Sequence, residues 1–289
     1  MTTLSSLVTR DRRHDMKLAY TTADFDRISA FLHRSTGILL TKENDRMVYA
    51  RLAARVIDLG LDSFAAYLDQ ALGPAAIEER DRLVSALTTN TTHFYRESYH
   101  FDFLETEVLP GLIQRARSGE RIRIWSAGCS TGEEPYSLAM CLLNAFPDVG
   151  NHDLKILATD IDRDALARAT AATYGTNSIR EMPRPFLDRF FDRVQATEQY
   201  TPKPTVRSLV TYRQLNLIGD WPFRGLFDVI FCRNVAIYMD AETQEQIWTG
   251  FCGALHPGGH LFIGHSERMS QSLRSSFTAV GNTIYRREP

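Results

Sequence analysis

The run Ile122-Arg123-Ile124-Trp125-Ser126-Ala127-Gly128-Cys129-Ser130-Thr131-Gly132-Glu133-Glu134-Pro135-Tyr136 passes from a β-type segment through a turn of small residues into an apolar helical stretch. Small side chains at a strand-to-helix turn let a ligand approach the backbone close to a helix N-terminus. The spacing is not GxGxxG, which argues against a dinucleotide pyrophosphate. The same residues also read as plain local structure, with Thr131 and Glu134 forming a capping box and Pro135 in the first turn. Outward from this run, β-rich segments alternate with helical ones: Arg121 to Trp125, Leu154 to Thr159, Leu209 to Leu215, Phe227 to Cys232 and His260 to Gly264. Such alternation predicts a mostly parallel α/β sheet. Phe277 to Arg286, with Gly281-Asn282 at its centre, reads as an antiparallel edge hairpin.

Upstream the period changes. From Asp24 to Leu87 apolar residues recur at helical spacing, as in Phe25, Ile28, Phe31 and Leu32, with breaks at Gly37, Gly60 and Gly73-Pro74. The expected organisation is an N-terminal extension over 1–22, a helical domain over 23–87 and a larger α/β domain over 88–289. Within the latter, Pro183, Pro185, Pro202 and Pro204 mark an inserted subdomain near 182–211. The whole chain of 289 residues is large enough for two cores. A net charge of −2 gives no global bias toward nucleic acid. Cys129, Cys141, Cys232 and Cys252 form no CxxC pair, so no metal site and no disulfide framework are expected. The N-terminal residues lack the apolar run of a signal peptide, and no stretch of about 18 apolar residues follows, so a cytoplasmic protein without membrane insertion is expected.

Three further segments fall where open α/β sheets bind ligands, past the carboxyl ends of strands. Asp160, ending the second strand, is a candidate acceptor for ribose hydroxyls, whereas Asp162 reads as the cap of the next helix. Arg233-Asn234-Val235-Ala236-Ile237-Tyr238 follows the fourth strand. His256-Pro257-Gly258-Gly259 reads as a tight turn, and His265 and Glu267 as structural. Thr88-Thr89-Asn90-Thr91-Thr92-His93-Phe94-Tyr95-Arg96-Glu97 packs polar, aromatic and basic residues ahead of the sheet. No GxSxG elbow and no P-loop signature occurs.

These segments, in this order and spacing, closely resemble the CheR family of chemotaxis receptor glutamate methyltransferases from about Phe25 onward. The resemblance implies a Rossmann-like class I methyltransferase domain with an inserted β-subdomain, preceded by an all-helical domain. It also implies S-adenosylmethionine as donor and glutamates of methyl-accepting chemotaxis proteins as acceptors, at membrane receptor arrays. Carried over by motif, Asn90, Thr92, Arg96, Gly128, Glu134, Asp160, Asn216, Leu217, Arg233 and Asn234 would line the donor pocket, with Arg96 and Tyr238 nearest the methyl. A glutamate side chain ordinarily titrates near pH ~4.3 and is already an anion at neutral pH, so alignment and exclusion of water would matter more than a general base. Over residues 27–55 six basic side chains face two acidic ones. Arg46, Arg51 and Arg55 are the expected docking face for an acidic receptor helix. An adaptor that binds the donor without transferring methyl is the alternative. Nothing points to nucleic acid, and a monomer is expected. Asp192 to Val210 contains no glycine, so capture of a receptor C-terminal pentapeptide by the β-subdomain, as in some relatives of this type, is not expected.

Overall fold

The computed structural model describes residues 18–195 and 197–289. Most of the expected extension over 1–22 lies outside the described residues. Contacts divide the chain into two units, one holding Leu40–Leu87 with the residues up to Phe31, the other Leu32–Leu39 and Thr88–Pro289.

The first unit is helical. It contains most of α1 (Thr22–Thr36), then α2 (Asp45–Asp58), α3 (Phe64–Ala71) and α4 (Ile77–Leu87). Val48, Leu52 and Val56 recur every fourth residue of α2 and are buried, which is the stripe that the sequence periodicity predicts. Gly60, at φ +71°, ends α2 in a Schellman motif: its N–H donates to Ile57 O and that of Leu61 to Val56 O. Ser63 then caps α3 by accepting from the Ala66 amide.

The second unit opens with α5 (Tyr99–Phe103), a π-helical turn (Leu104–Val108) and α6 (Leu109–Arg117). There follow β1 (Ile122–Ala127), α7 (Glu133–Ala145), β2 (Leu154–Asp160) and α8 (Arg163–Ala171). A small insertion contains β3 (Tyr174–Gly175), α9 (Thr176–Ile179), α10 (Arg184–Phe190), β4 (Phe191–Arg193), β5 (Gln199–Pro202) and α11 (Pro204–Arg207). The main sheet resumes with β6 (Val210–Gln214), β7 (Phe227–Cys232), α12 (Ala241–Ala254), β8 (Leu255–Ile263), β9 (Phe277–Gly281) and β10 (Ile284–Arg287).

Strand order in the main sheet is β6-β2-β1-β7-β8-β10-β9. Neighbours are parallel from β6 to β8, and the last two strands are antiparallel. The fold is thus the class I methyltransferase type, a mostly parallel mixed sheet beside an all-helical domain. Every residue of β7 is buried, as expected for a strand covered on both faces. Chain order reverses between β1 and β7, and that reversal opens a crevice at the strands' carboxyl ends.

One detail differs from the sequence reading, and two others refine it. His256 to Gly259 do not precede the last parallel strand but lie inside β8 as a bulge, since Phe227 pairs with Leu255 and Val229 with His260. In the β9–β10 hairpin the left-handed residue is Thr283, at φ +55°, and not the Gly281-Asn282 pair. Pro202 ends β5 opposite Phe191 and Pro204 starts α11, so neither lies in the connection between β4 and β5. The proline ring there fits a strand end and a first helical turn, where no amide donor is required.

Candidate active site

The crevice lies wholly within the second unit and encloses about 890 Å³, counting space open to solvent. Asn90, Thr92, Arg96, Gly128, Glu134, Asp160, Asn216, Leu217, Arg233, Asn234 and Tyr238, every cleft residue expected from sequence, line it together.

The β1–α7 turn forms the floor. Gly128 (φ +76°) is obligatory there, because a Cβ would lie 2.3 Å from the Val235 side chain. The capping box does not form: the N-cap is Gly132, without a side-chain bond, and Glu134 turns inward. Its carboxylate accepts from Ser126 Oγ at 2.7 Å and Arg233 Nε at 2.7 Å. That diversion of Glu134 from a local cap to a long-range ion pair marks the turn as more than a helix start.

Asp160 ends β2 and is 9% exposed. It accepts from the Ser130 amide at 2.7 Å and the Asp162 amide at 2.9 Å, which joins the β1 turn to the end of β2. Burial pushes its pKa up, against those backbone donors. Asp162 caps α8 through the Asp164 and Ala165 amides, as its position implied. Its other oxygen accepts from Thr88 Oγ1 at 2.9 Å and Asn90 Nδ2 at 2.6 Å, so the cap also anchors the segment that crosses the crevice.

That crossing segment carries Arg96, whose Nη1 donates to Thr91 O at 2.9 Å. Past β7, Arg233 is 7% exposed and bridges three parts of the site. Besides Glu134, it donates to the Arg96 carbonyl at 2.5 Å and lies 3.2 Å from His100 Nδ1. Burial, and then Arg233, push His100 down to about 4, so this imidazole is neutral at pH 7. Asn234 follows at φ +59°. Tyr238 lies at the mouth, 39% exposed, beside Ile237 and Leu39, and its carbonyl accepts from the Leu39 amide.

Several contributors were not singled out by the sequence reading. Thr36 and Ile38 line the crevice although they lie far upstream of the sheet, and no local pattern marks them. Glu267 has a larger role than a generic structural residue: its carboxylate accepts from the amides of Gly264, Asn234, Val235 and Ala236 and so fixes the loop after β7. Burial raises its pKa against those four donors. An isolated glutamate after a strand carries no spacing signal for such a backbone nest. Among the described residues no group of three or more His, Cys, Asp or Glu side chains could hold a metal.

Arg46, Arg51 and Arg55 lie on α2 in the first unit. Arg51 donates to the Leu87 carbonyl at 3.0 Å, and Arg55 makes a bidentate pair with Glu79 at 2.9 and 2.5 Å. Arg46 is exposed.

A profile of the CheR methyltransferase SAM binding domain matches residues 90–286, and one of the CheR all-alpha domain matches residues 23–88. The chain belongs to the CheR methyltransferase family. A probable chemotaxis protein methyltransferase of Rhizobium etli is 45% identical over 257 residues, covering 88% of this chain and 96% of that protein. Chemotaxis protein methyltransferase 2 of Pseudomonas aeruginosa is 41% identical over 279 residues, covering 92% and 93%. The chemotaxis protein methyltransferase of Escherichia coli is 38% identical over 272 residues, covering 93% and 92%.

S-adenosylmethionine is therefore the cofactor, and the crevice suits it. The donor bears a ribose and an ammonium group. Asp160 supplies a nearly buried carboxylate at the end of β2, and Glu134 supplies a second beside the glycine turn. The absence of a Cβ at Gly128 lets the Val235 side chain pack against the turn that forms the floor.

Proposed function

We propose that this methyltransferase esterifies glutamate side chains on the cytoplasmic domains of chemotaxis receptors. The observation that carries this reading is the placement of Arg96 and Tyr238 on one crevice with the carboxylate-bearing donor positions Glu134 and Asp160, in a chain of this family.

When bound, the donor supplies a methyl group on a sulfonium. The chain's own residues hold and orient. Asp160 accepts the ribose hydroxyls, while Glu134 and Asn234 flank the polar end of the cleft. Arg96 faces the acceptor carboxylate with a charge-assisted hydrogen bond that directs it without neutralising it. Its tie to Thr91 O limits how far the guanidinium can swing. No residue is needed as a base, because the acceptor is already ionised. Tyr238, with Ile38 and Met239, provides an apolar side of the crevice that excludes water once the acceptor is seated.

For the acidic receptor helix, we take a smaller docking face than the three arginines together. Arg51 and Arg55 are committed to bonds within the helical unit, so Arg46 is the docking cation we favour. Recognition then relies on α2 and the crevice and not on strand addition to the small sheet. The protein acts in the cytoplasm at receptor arrays; among the described residues no helix is long and apolar enough to cross a membrane.

Peptide mapping by mass spectrometry, after incubation of receptor cytoplasmic fragments with the protein and S-adenosylmethionine, tests the proposal. Methyl groups should appear on glutamates and be removed by mild alkali. Methylation confined to other residue types, or none with the donor bound, would refute it.

A further inference from the structure

Arg96 sits between two residues in the left-handed region, Tyr95 at φ +56° and Glu97 at φ +57°. Side chains other than glycine rarely adopt that conformation, and two such residues around one arginine persist only where surrounding bonds over-determine the backbone. Those bonds are present. The Tyr95 amide donates to Ser137 Oγ at 3.1 Å, and the Arg96 carbonyl accepts from Arg233. On the far side the Glu97 carboxylate, its side chain 9% exposed, gathers donors from several segments. Its Oε1 accepts from Asn234 Nδ2 at 3.2 Å and is 2.8 Å from His265 Nδ1, while its Oε2 accepts from Tyr99 Oη at 3.3 Å. Arg233 Nη1 and His100 Nδ1 lie 4.0 and 3.4 Å from Oε2.

Glu97 itself does not line the crevice, whereas the two residues it governs, Arg96 and Asn234, both do. We propose that Glu97 is a positioning residue for methyl transfer, fixing the direction of the Arg96 side chain and turning the Asn234 amide so that its Oδ1 faces the crevice. The proposal rests on the functional reading above, in which Arg96 orients the acceptor.

The chemistry requires a carboxylate. An ionised carboxylate only accepts hydrogen bonds, so Asn234 must offer it the NH₂ group and leave the oxygen for the cleft. A glutamine could present either end and would no longer dictate that choice. Burial alone would push Glu97 up, but the His265 donors and the Arg233 charge outweigh it and hold the group below the usual carboxylate range. His100, being neutral, adds no positive charge, so Arg233 is the buried counter-ion.

The test compares Glu97→Gln and Glu97→Ala with the wild type in receptor methylation, S-adenosylhomocysteine calorimetry, thermal melting and hydrogen exchange. For the alanine variant, kcat should fall about 10- to 100-fold, the scale of a misplacement near 1 Å. Glutamine should fall between alanine and wild type. The dissociation constant for S-adenosylhomocysteine should rise by a smaller factor than kcat falls, since among the residues of the donor pocket only Arg96 and Asn234 depend on Glu97. Amides of residues 94–98 should exchange faster in the alanine variant, with the main sheet unchanged. Wild-type kcat in a folded alanine variant would overturn the proposal, as would a kcat loss no larger than the loss of donor affinity. If the alanine variant does not fold, the glutamine variant decides on the same criteria. If the wild type binds S-adenosylhomocysteine yet methylates no receptor, the functional reading fails instead. The exchange comparison then judges the clamp by itself, with unaltered exchange at 94–98 counting against it.

Discussion

Two arginine–glutamate pairs use the same chemistry for different ends. Arg55 and Glu79 meet at 2.5 Å in the helical unit with side chains 32% and 11% exposed, and Tyr67 adds a third bond at 3.1 Å. Arg233 and Glu134 meet at 2.7 Å in the crevice with side chains 3% and 10% exposed. The first ties α2 to α4 and leaves nothing over for a ligand. The second spans β7 and α7, carries the Arg96 carbonyl as well, and opens onto the donor site. Taking both charges out of water there offsets much of their attraction, while removing either partner alone would leave the other buried and unpaired. Mutation of the first pair should therefore touch stability alone, whereas mutation of the second should touch stability and donor binding together.

The largest effect should come from Arg233→Ala, which leaves Glu134 buried without its partner. Urea unfolding should show a loss of about 3–5 kcal/mol, accompanied by loss of S-adenosylhomocysteine binding. A loss below about 1 kcal/mol, the scale of an exposed pair, would erase the distinction between the two pairs. Asp160→Asn comes next. It removes the charge and leaves one acceptor oxygen where the Ser130 and Asp162 amides donate to two, so donor affinity should fall by about 1.5–3 kcal/mol and the melting transition should fall by less than in Arg233→Ala. Equal calorimetric affinity would take Asp160 out of ribose binding.

Arg55→Ala should reverse that pattern, with stability reduced by about 1–3 kcal/mol and donor affinity unchanged. The pH dependence follows from Glu79, whose pKa is held below its ordinary value chiefly by the Arg55 hydrogen bond. A depressed carboxylate stabilises the fold above its unfolded pKa, about 4.3, and that contribution disappears as pH falls through the lower folded value. The stability gap between wild type and Glu79→Gln should therefore be full at pH 7 and shrink below about pH 4. A gap that widens on acidification would contradict the assignment. The smallest effect belongs to Arg46→Glu: stability should stay within about 0.5 kcal/mol, while receptor methylation drops severalfold, and added salt should do the same to the wild type. Salt-insensitive methylation would remove Arg46 from docking.

Sequence made the sheet legible because buried parallel strands such as Phe227–Cys232 are apolar but for Asp228 and the turn after β1 carries glycine. The crevice was legible for a related reason: Gly128, Asp160 and Asn234 all lie just past strand ends, where a parallel sheet puts its ligands. Assigning the donor needed the family resemblance, since the spacing alone left a capped helix as an equal reading. Contacts between distant segments were not legible. Thr36 and Ile38 reach the crevice without any motif, and Glu267 meets four amides that only the folded loop brings together. Nor did charge alone reveal hydrogen-bond partners far along the chain: Arg51 and Arg55 share a helix face, and their partners, Leu87 and Glu79, come from α4.

The central claim, that this crevice transfers methyl to receptor carboxylates, is tested most directly by incubating the protein with methyl-labelled S-adenosylmethionine and receptor-bearing membranes and measuring label released by mild alkali. The account predicts alkali-labile label on the receptor that requires the protein and is lost with Arg96→Ala. Binding of S-adenosylhomocysteine with no alkali-labile label on the receptor would contradict it.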